Sequence, residues 1–310
     1  MKLKSSFIVA IILSFSFGLL ASHFLQQKAG VRESVDDQSQ KYPLLAKRIL
    51  IENPNDIIIS FSPLRSDLKK ITKDWGEDFA FYFEYLPTGT SIGVNEKMEY
   101  NPMSLVKIPL AMAYYYMGSK QGLDFNPLVA IKPEEIDKGS GDLWQKGAGY
   151  QINLKDAVKL ALVNSDNTAA QVIADNIPLP DYQEIFLGLD IPIPDDKNLL
   201  KITAKQYASI LKALYFSAVL DRNDSQEVLN YLIESPLEGG LKSGVGAGVP
   251  VANKVGVLAD KLYQDCGIVY VPKRQYLLCM FSKGDEKKSK DRMTLISKTV
   301  YDYIMSVNGK

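Results

Sequence analysis

The sequence offers few kinds of side chain that could act as a catalytic base. Its single histidine, His23, lies inside an apolar N-terminal segment. Active sites of the Ser-His-Asp or Cys-His type need an imidazole to deprotonate the nucleophile, so neither type fits the rest of the chain. A zinc site built on histidines is excluded for the same reason, and we expect no metal or cofactor. Proton transfer must therefore depend on lysine, serine, tyrosine or carboxylate groups.

One candidate nucleophile has a lysine at a useful spacing. Ser104 and Lys107 form an S-x-x-K sequence, and residues three apart on a helix lie on one face. In a partly desolvated site the pKa of the lysine falls, and its neutral amine can take the proton of the serine. The same spacing occurs at residues 66–69 and 209–212, where it is typical of a solvated helix face. The spacing alone does not select the nucleophile.

A second group of polar residues, Ser165, Asp166 and Asn167, occurs once in the chain. It follows an apolar run and precedes a helical pattern over residues 168–174. All three residue types cap helices well. The tripeptide therefore has two interpretations, the start of a helix or the polar part of a catalytic site.

A third motif, Lys254-Val255-Gly256, lies in a segment that alternates like a β-strand, residues 249–257. A lysine on a strand beside a serine nucleophile supplies fixed positive charge, and a glycine lets a substrate approach the backbone. The competing Lys242-Ser243-Gly244 lies in a glycine-rich stretch that is typical of a loop.

Taken in order, these three motifs resemble the active-site signature of class A serine β-lactamases and penicillin-binding proteins. The spacing between the first two motifs is also similar to that of class A enzymes. Further segments resemble the family in the same order, and they comprise residues 103–110, 139–141, 164–170 and 265–270. The resemblance covers about residues 57–310 and implies a serine acyl-transfer enzyme.

The resemblance implies a role for each catalytic residue. Ser104 attacks a carbonyl group and becomes acylated, and Lys107 acts as its base. Ser165 relays a proton to the leaving nitrogen. Lys254 supports Ser165 electrostatically and attracts a carboxylate of the substrate.

The substrate-binding residues implied by the resemblance are Asn167, Val255, Gly256 and Val257. Asn167 would bind the amide side chain of the substrate, and the backbone N–H groups of Ser104 and Val257 would form an oxyanion hole. The family usually has Thr or Ser at the position of Val255, where the hydroxyl helps to hold the substrate carboxylate, and valine cannot donate a hydrogen bond. Losing one charge-assisted hydrogen bond weakens recognition by about 1.5–3 kcal/mol, so we expect poor binding of ordinary penicillins.

A second departure concerns deacylation. Class A β-lactamases carry a Glu-x-x-Leu-Asn loop whose glutamate activates the deacylating water, and no such loop lies between the second and third motifs. A partial match begins at Glu184, but Gly188 replaces the asparagine and residues 180–187 have the pattern of an ordinary helix. Asp195 and Asp196 are typical of solvated loop charges. We therefore expect acylation but slow β-lactam turnover.

These residues favour a serine hydrolase that forms an acyl-enzyme at Ser104 with β-lactam or D-alanyl-D-alanine-type amide substrates. One alternative is a D-alanyl-D-alanine carboxypeptidase-like cell-wall enzyme. The other is a non-catalytic wall-binding module on the same scaffold. The intact set of two serines and two lysines argues against the binding module, whereas Val255 argues for it.

The elements that must position these residues form an α+β pattern. Helical spacing over residues 64–75 precedes an aromatic, β-prone run at 79–86, and a mostly helical middle extends from 104 to about 220. Strands return near residues 250–258, 267–271 and 276–282. A helix at 290–305 follows. This order predicts an antiparallel sheet packed by N- and C-terminal helices plus a helical lobe, the β-lactamase/transpeptidase-like architecture.

The N-terminal part of the chain predicts export. Residues 5–27 contain no Asp, Glu, Lys or Arg, and Lys2 and Lys4 precede them. About 20 apolar residues span a bilayer, and the flanking lysines favour a cytoplasmic N-terminus. A cleaved signal peptide is the alternative, but an A-x-A-like cleavage site is hard to find. We therefore expect a membrane-anchored, extracytoplasmic protein, with a stalk at 28–56 and the catalytic domain at 57–310, or a secreted one if the segment is cleaved.

The overall composition limits the partners. The chain has 310 residues, 46% of them hydrophobic, which suffices for one large domain. Its 36 basic and 36 acidic residues cancel, so nucleic acid would not be attracted over a distance. The expected partners are a small-molecule or peptide substrate and, through the N-terminal segment, the membrane. The sequence does not indicate an oligomeric state.

The two cysteines, Cys266 and Cys279, lie in two strand-like runs. A hairpin that pairs Val271 with Arg274 would also place the cysteines opposite each other, so a cross-strand disulfide is geometrically possible. Two unpaired thiols in the core are the other interpretation, and we favour it.

Overall fold

The computed structural model describes residues 43–44, 60–122, 125–189, 191–195, 201–259 and 261–307. The predicted anchor at 1–27 and nearly all of the predicted stalk at 28–56 lie outside these ranges, so both stay predictions. Within the described part of the chain, no helix is long and apolar enough to cross a membrane.

Most of the strands are grouped near both ends of the domain, and most of the helices lie between them. The strands are β1 Phe79–Tyr85, β2 Thr90–Val94, β3 Glu99–Tyr100, β4 Leu128–Ala130, β5 Gln151–Asn153, β6 Ile202–Thr203, β7 Val251–Leu258, β8 Leu262–Val269 and β9 Tyr276–Lys283. The α-helices are α1 Ser62–Thr72, α2 Lys107–Gln121, α3 Leu154–Val163, α4 Asn167–Asn176, α5 Leu179–Glu184, α6 Ala204–Tyr215, α7 Arg222–Glu234, α8 Gly240–Ser243 and α9 Glu286–Ser306.

The main sheet is antiparallel, with the strand order β2-β1-β9-β8-β7. Because β1 pairs with β9, strands from the two ends of the domain meet in the middle of the sheet, as predicted. Strand β7 lies at one edge. This edge faces the helical part of the molecule, since β7 contacts the 3₁₀ turn Met103–Val106 that precedes α2.

Both faces of the sheet are covered, which explains why β1 is buried along its whole length. On one face Phe79, Phe81 and Phe83 join a core that also includes residues of α1 and α9, among them Leu64, Leu68, Ile296 and Val300. The other face packs against α6. The aromatic, β-prone run that predicted β1 fits this burial, and the one charged residue of the strand, Glu84, pairs with Lys212 of α6.

Helix α2 is the central helix of the helical lobe. It contacts α3, α4, α5 and α7, and its residues from Lys107 to Tyr115 are all buried. A helix that is apolar around its whole circumference belongs in the interior of a protein. The N-terminus of this buried helix carries the candidate nucleophile to the edge of the sheet.

Strand β8 is longer than the sequence pattern predicted. It begins at Leu262 rather than near 267, because Gln264 and Asp265 lie in the strand although both are polar. Both side chains are fully buried. Polar residues in a buried strand interrupt the apolar run, so hydrophobic patterning places the start of the strand too late.

The hairpin register predicted for the two cysteines is confirmed. The N–H of Arg274 donates to the carbonyl of Val271 at 2.9 Å, and Cys266 lies directly opposite Cys279. Both cysteines are free and buried. Burial raises the pKa of both thiols, so they stay protonated and unreactive in the core. Of the two interpretations, the unpaired thiols are therefore the one observed.

Candidate active site

Ser104 lies in the 3₁₀ turn Met103–Val106, immediately before α2 begins at Lys107. Met103 adopts a left-handed backbone conformation with φ of 49°, which is uncommon for a residue other than glycine. The turn is held by Asn101, whose Oδ1 accepts the N–H of Met103 at 3.0 Å. Strained residues of this kind persist only where the surroundings fix them, and here the strained residue directly precedes Ser104, which is half-buried.

The amine of Lys107 is the centre of the site. Its Nζ lies 3.3 Å from Ser104 Oγ, as the S-x-x-K spacing predicted. It also donates to the carbonyl oxygen of Ser165 at 2.6 Å and to Asn167 Oδ1 at 2.7 Å, and it lies 3.1 Å from Ser165 Oγ. The first two of the three sequence motifs are therefore joined through one side chain.

Burial changes the chemistry of this lysine. Only 3% of Lys107 is exposed. Desolvation lowers its pKa to about 8, although the carboxylates of Asp166 and Asp137 act in the opposite direction. A sizeable fraction of the amine is therefore neutral near physiological pH, as a general base for Ser104 requires.

Ser165 lies between two amines. Its Oγ is 3.1 Å from Lys107 Nζ and 2.8 Å from Lys254 Nζ. Its backbone is left-handed, with φ of 54°. The neighbouring Asp166 caps α4, because its Oδ1 accepts the N–H of Ala169 at 2.8 Å. The capping interpretation is therefore confirmed at Asp166, and the two candidate site residues, Ser165 and Asn167, lie on either side of it.

Lys254 reaches the same hydroxyl from the edge strand β7. It is 1% exposed, and its Nζ donates to Ser165 Oγ at 2.8 Å and to the carbonyl oxygen of Val255 at 3.1 Å. Desolvation, followed by the nearby positive charge of Lys107, lowers its pKa to about 7, while Asp265 acts to raise it. The two lysines therefore repel each other across Ser165, which disfavours the doubly protonated site.

The structure shows a reason for the glycine at position 256 that the sequence did not predict. A Cβ at this position would lie 2.7 Å from Gln264 Oε1 and 3.3 Å from the Cβ of Met103. The Gln264 side chain crosses the glycine, and its Nε2 donates to the carbonyl of Asn101 at 2.7 Å. The missing side chain thus lets β7 lie against the turn that carries Ser104.

Val255 and Val257, the two other predicted binding residues on β7, differ in exposure. Val255 is half-buried, and its Cγ2 would be 3.0 Å from a Cβ at Gly239. Val257 is 46% exposed. Because β7 is an edge strand, part of its backbone is free of strand pairing and available to a ligand.

Three residues of this region were not singled out from the sequence as site residues. Gln264 supports the Ser104 turn. The carboxylate of Asp265 accepts hydrogen bonds from the N–H of Leu241 and from Nδ2 of Asn253, both at 2.8 Å. Because Asn253 lies on β7, the second of these bonds holds that strand in place. Asp137 Oδ1 receives the Nδ2 of Asn167 at 3.1 Å. The sequence does mark these residues, because Gln264 and Asp265 interrupt an apolar run and Asp137 precedes a glycine-rich segment. Neither pattern, however, shows which residues they contact.

A family model described as the Beta-lactamase enzyme family matches residues 63–304. The chain belongs to this family. A protein named "Beta-lactamase" from Phocaeicola vulgatus is 23% identical over 253 residues, which cover 71% of this chain and 78% of that protein. The family assignment accounts for the order of the three motifs and implies a hydrolase.

Solved structures show the same fold at low sequence identity. The structure of PBP-A has a TM-score of 0.70 and 20% identity, and the match covers 79% of this chain and 97% of that chain. The β-lactamase from Sphaerobacter thermophilus has a TM-score of 0.69 and 20% identity, with 79% and 98% covered. The predicted β-lactamase/transpeptidase-like fold is therefore confirmed.

Glu184, which begins the partial match to the deacylation motif, lies away from Ser104 and Lys107. Glu184 ends α5, and its Oε2 is 3.4 Å from the hydroxyl of Tyr116. Tyr116 follows Lys107 by nine positions on α2, which corresponds to roughly 13 Å along the helix axis. Asp195 is exposed, and Asp196 lies outside the described residues. The helix predicted over residues 180–187 is shorter than expected, since α5 spans Leu179–Glu184 and residues 185–188 form turns. Its buried Tyr182 agrees with the predicted packing role.

The competing S-x-x-K sequences do not share these surroundings. Ser66 and Lys69 are exposed on α1, as expected of a solvated helix face. Lys212 is instead half-buried and lies 3.1 Å from a carboxylate oxygen of Glu84. The competing Lys242-Ser243-Gly244 lies at the end of the short helix α8 rather than in a loop.

Proposed function

We propose that this protein is a serine hydrolase that forms an acyl-enzyme at Ser104 with β-lactam or D-alanyl-D-alanine-type amide substrates. The observation that carries the proposal is the convergence of two hydroxyls and two amines. Ser104 Oγ lies 3.3 Å from an amine of lowered pKa, and Ser165 Oγ is shared by that amine and by Lys254. This is the arrangement that a base, a nucleophile and a proton relay require.

Acylation then proceeds through proton transfers among Ser104, Lys107, Ser165 and Lys254. The neutral amine of Lys107 takes the proton of Ser104 Oγ while that oxygen bonds to the carbonyl carbon of the substrate. The carbonyl oxygen becomes negative and accepts hydrogen bonds from the backbone N–H groups of Ser104 and Val257. When the intermediate collapses, the carbon–nitrogen bond breaks and the nitrogen takes the proton of Ser165. Ser165 recovers a proton from one of the two adjacent lysines.

Deacylation has less support from the side chains present. Among the described residues, no carboxylate accepts a hydrogen bond from Lys107 or Ser104. This observation favours a second candidate, a D-alanyl-D-alanine carboxypeptidase-like enzyme that β-lactams would acylate for long periods. A second similar structure, that of a PBP-A mutant, is described as an acyl-enzyme complex with penicillin G.

One experiment tests the proposal and separates the candidates. The protein without residues 1–27 is incubated with a fluorescent penicillin and, separately, with a chromogenic cephalosporin. Stable labelling supports the peptidase-like enzyme, and rapid colour without stable label supports a β-lactamase. Both signals should vanish in Ser104→Ala and persist in Ser66→Ala, which removes the hydroxyl from an exposed S-x-x-K of identical spacing. Absence of both signals in the unaltered protein would favour a wall-binding module.

The proposed substrates agree with the predicted extracytoplasmic location. The apolar segment at residues 5–27 would keep the domain beside the cell wall. Fractionation of cells that produce the full chain tests this. Recovery in the cytoplasmic fraction would contradict the location and leave the chemistry of the site untouched.

A further inference from the structure

The side-chain amide of Asn167 is occupied at both ends. Its Oδ1 accepts from Lys107 Nζ at 2.7 Å, and its Nδ2 donates to Asp137 Oδ1 at 3.1 Å. A protonated lysine can only donate and an ionised carboxylate can only accept, so the carboxylate of Asp137 fixes the orientation of the amide and the protonated form of Lys107 reinforces it. The group expected to bind the amide side chain of a substrate therefore contacts a carboxylate before any substrate arrives.

The carboxylate of Asp137 is held in place at the rim of the site. The N–H of Gly139 donates to the same Oδ1 at 2.6 Å. The hydrogen bond from Asn167, the hydrogen bond from Gly139 and the charge of Lys107 keep the pKa of Asp137 below its usual range. The side chain is half-buried, and within the described chain no hydrogen bond is made by its second oxygen.

No lysine of the described residues forms an ion pair with this carboxylate, although the charge of Lys107 acts on it from beyond Asn167. Lys138 lies over the ring of Trp144, with its Nζ 5.2 Å from the ring centre. Lys132 pairs with Asp175 at 2.9 Å. The carboxylate of Asp137 therefore lies beside the amide of Asn167 without a direct cationic partner.

We propose that Asp137 selects substrates by the charge of their acyl side chain, favouring an ammonium group and disfavouring a carboxylate. This inference rests on the proposed function, because it assumes that the acyl side chain lies beside Asn167. An ammonium group there would reach the unpaired oxygen of Asp137, whereas a carboxylate would face a like charge in a partly desolvated crevice. A neutral side chain should rank between them.

Three penicillins that share one nucleus and one phenyl ring form the probe series. Ampicillin carries an ammonium group on the carbon next to the ring, penicillin G carries none, and carbenicillin carries a carboxylate. The measurement is the second-order rate constant of acylation, at slightly acidic pH and low salt. We expect ampicillin to exceed carbenicillin by at least about fivefold, which corresponds to one half-exposed ion pair.

Two variants with the same change in net charge isolate the effect. Asp137→Asn keeps an acceptor oxygen for Asn167 and removes only the charge, so the ratio should fall below about twofold. Asp142→Asn changes an exposed residue of the same segment, whose Oδ1 is bonded to Gln145, and the ratio should persist. A ratio that survives in Asp137→Asn, or that is absent from the unaltered protein, overturns the proposal.

Reversible binding separates this proposal from the acylation chemistry. Ser104→Ala cannot be acylated, so calorimetry with the same three penicillins reports affinity alone. If the unaltered protein forms no acyl-enzyme but Ser104→Ala still prefers ampicillin in a manner that Asp137→Asn abolishes, charge selection holds and the proposed function fails. If Ser104→Ala binds none of the three, or binds all equally, charge selection by Asp137 is wrong.

Discussion

The amines of Lys107 and Lys254 donate to one and the same hydroxyl oxygen from different elements of the fold. Lys107 belongs to the buried helix α2 and lies 3.1 Å from Ser165 Oγ, whereas Lys254 belongs to the edge strand β7 and lies 2.8 Å from it. Each lysine has a pKa below its ordinary value, chiefly through burial. The site is therefore poised to lose a proton close to neutral pH.

The rate of acylation should rise with pH. Only the neutral form of Lys107 can accept the proton of Ser104, and with a pKa of about 8 this form increases as the pH rises from 6 to 8. At saturating substrate we expect the rate to increase by about tenfold per pH unit and to level above the pKa. Stopped-flow measurement with a fluorescent penicillin checks this. In Lys107→Arg the guanidinium stays protonated, so labelling should be absent at every pH, and a flat profile in the unaltered protein would contradict the role of Lys107.

Replacement of Lys254 by methionine should stabilise the fold while impairing its chemistry. The folded-state pKa of Lys254 is lowered to about 7, so the unfolded chain binds more protons above that pH, and the stability of the protein should rise with pH. The rise is at most about 1.4 kcal/mol per pH unit for one group. We expect Lys254→Met to be the more stable form at pH 7 and to lose most of the rise between pH 7 and 8.

Urea unfolding at several pH values within that interval measures this difference. The interval avoids the acidic groups of raised pKa, since burial raises the pKa of Asp224 and of Asp265 only to about 6. It also ends below the ordinary pKa of about 8.5 for a thiol and about 10 for tyrosine, so these groups ionise only to a minor extent on unfolding. A variant that is less stable than the unaltered protein, or that keeps the same pH dependence, would show that Lys254 is not held with a lowered pKa.

A hydroxyl at position 255 should improve the recognition of penicillins. Val255 lies on β7 beside the amine of Lys254, whose Nζ is 3.1 Å from the carbonyl oxygen of Val255. Val255→Thr adds a donor with little change in volume, and we expect acylation by penicillin G at low concentration to become about tenfold faster, within the range of one hydrogen bond to a charged group. Leu258→Thr, which alters an exposed residue near the end of the same strand, should have no such effect. Equal rates in both variants would remove Val255 from substrate recognition.

Gly256 and Gln264 should show strong coupling. A methyl group at 256 would meet Gln264 Oε1 at 2.7 Å, so Gly256→Ala must displace either Gln264 or the turn that carries Ser104. We expect Gly256→Ala to slow acylation by about tenfold or more, and Gln264→Ala to slow it less, through the lost hydrogen bond to Asn101.

The double variant is the decisive measurement for this pair. Gly256→Ala with Gln264→Ala gives the new methyl group room, so the double variant should acylate faster than Gly256→Ala alone, with an interaction energy above about 0.5 kcal/mol. If the effects of the two substitutions are additive, the glycine does not serve to make room for the Gln264 side chain. Its role would then be to let a substrate approach the backbone, as the sequence pattern indicated.

The sequence by itself determined the class of fold and predicted the chemistry of the nucleophile. One histidine, confined to the apolar N-terminal segment, leaves lysine as the predicted base. The three-residue spacing of Ser104 and Lys107 predicted their contact, which the 3₁₀ turn before α2 provides. The strand and helix patterns at both ends of the domain predicted the antiparallel sheet with its covering helices. These features could be predicted because they depend on neighbours within a few residues and on periodic burial.

Only the tertiary structure decided how the motifs meet and which residues hold them. Lys254 reaches Ser165 because β7 lies at the sheet edge that faces α2, and no local pattern specifies which strand takes the edge. The crossing of Gly256 by Gln264 and the contact of Asp137 with Asn167 depend in the same way on side chains from separate elements. Long-range packing and burial also set the lowered pKa values of the two lysines, since desolvation arises from the whole surrounding fold rather than from adjacent residues.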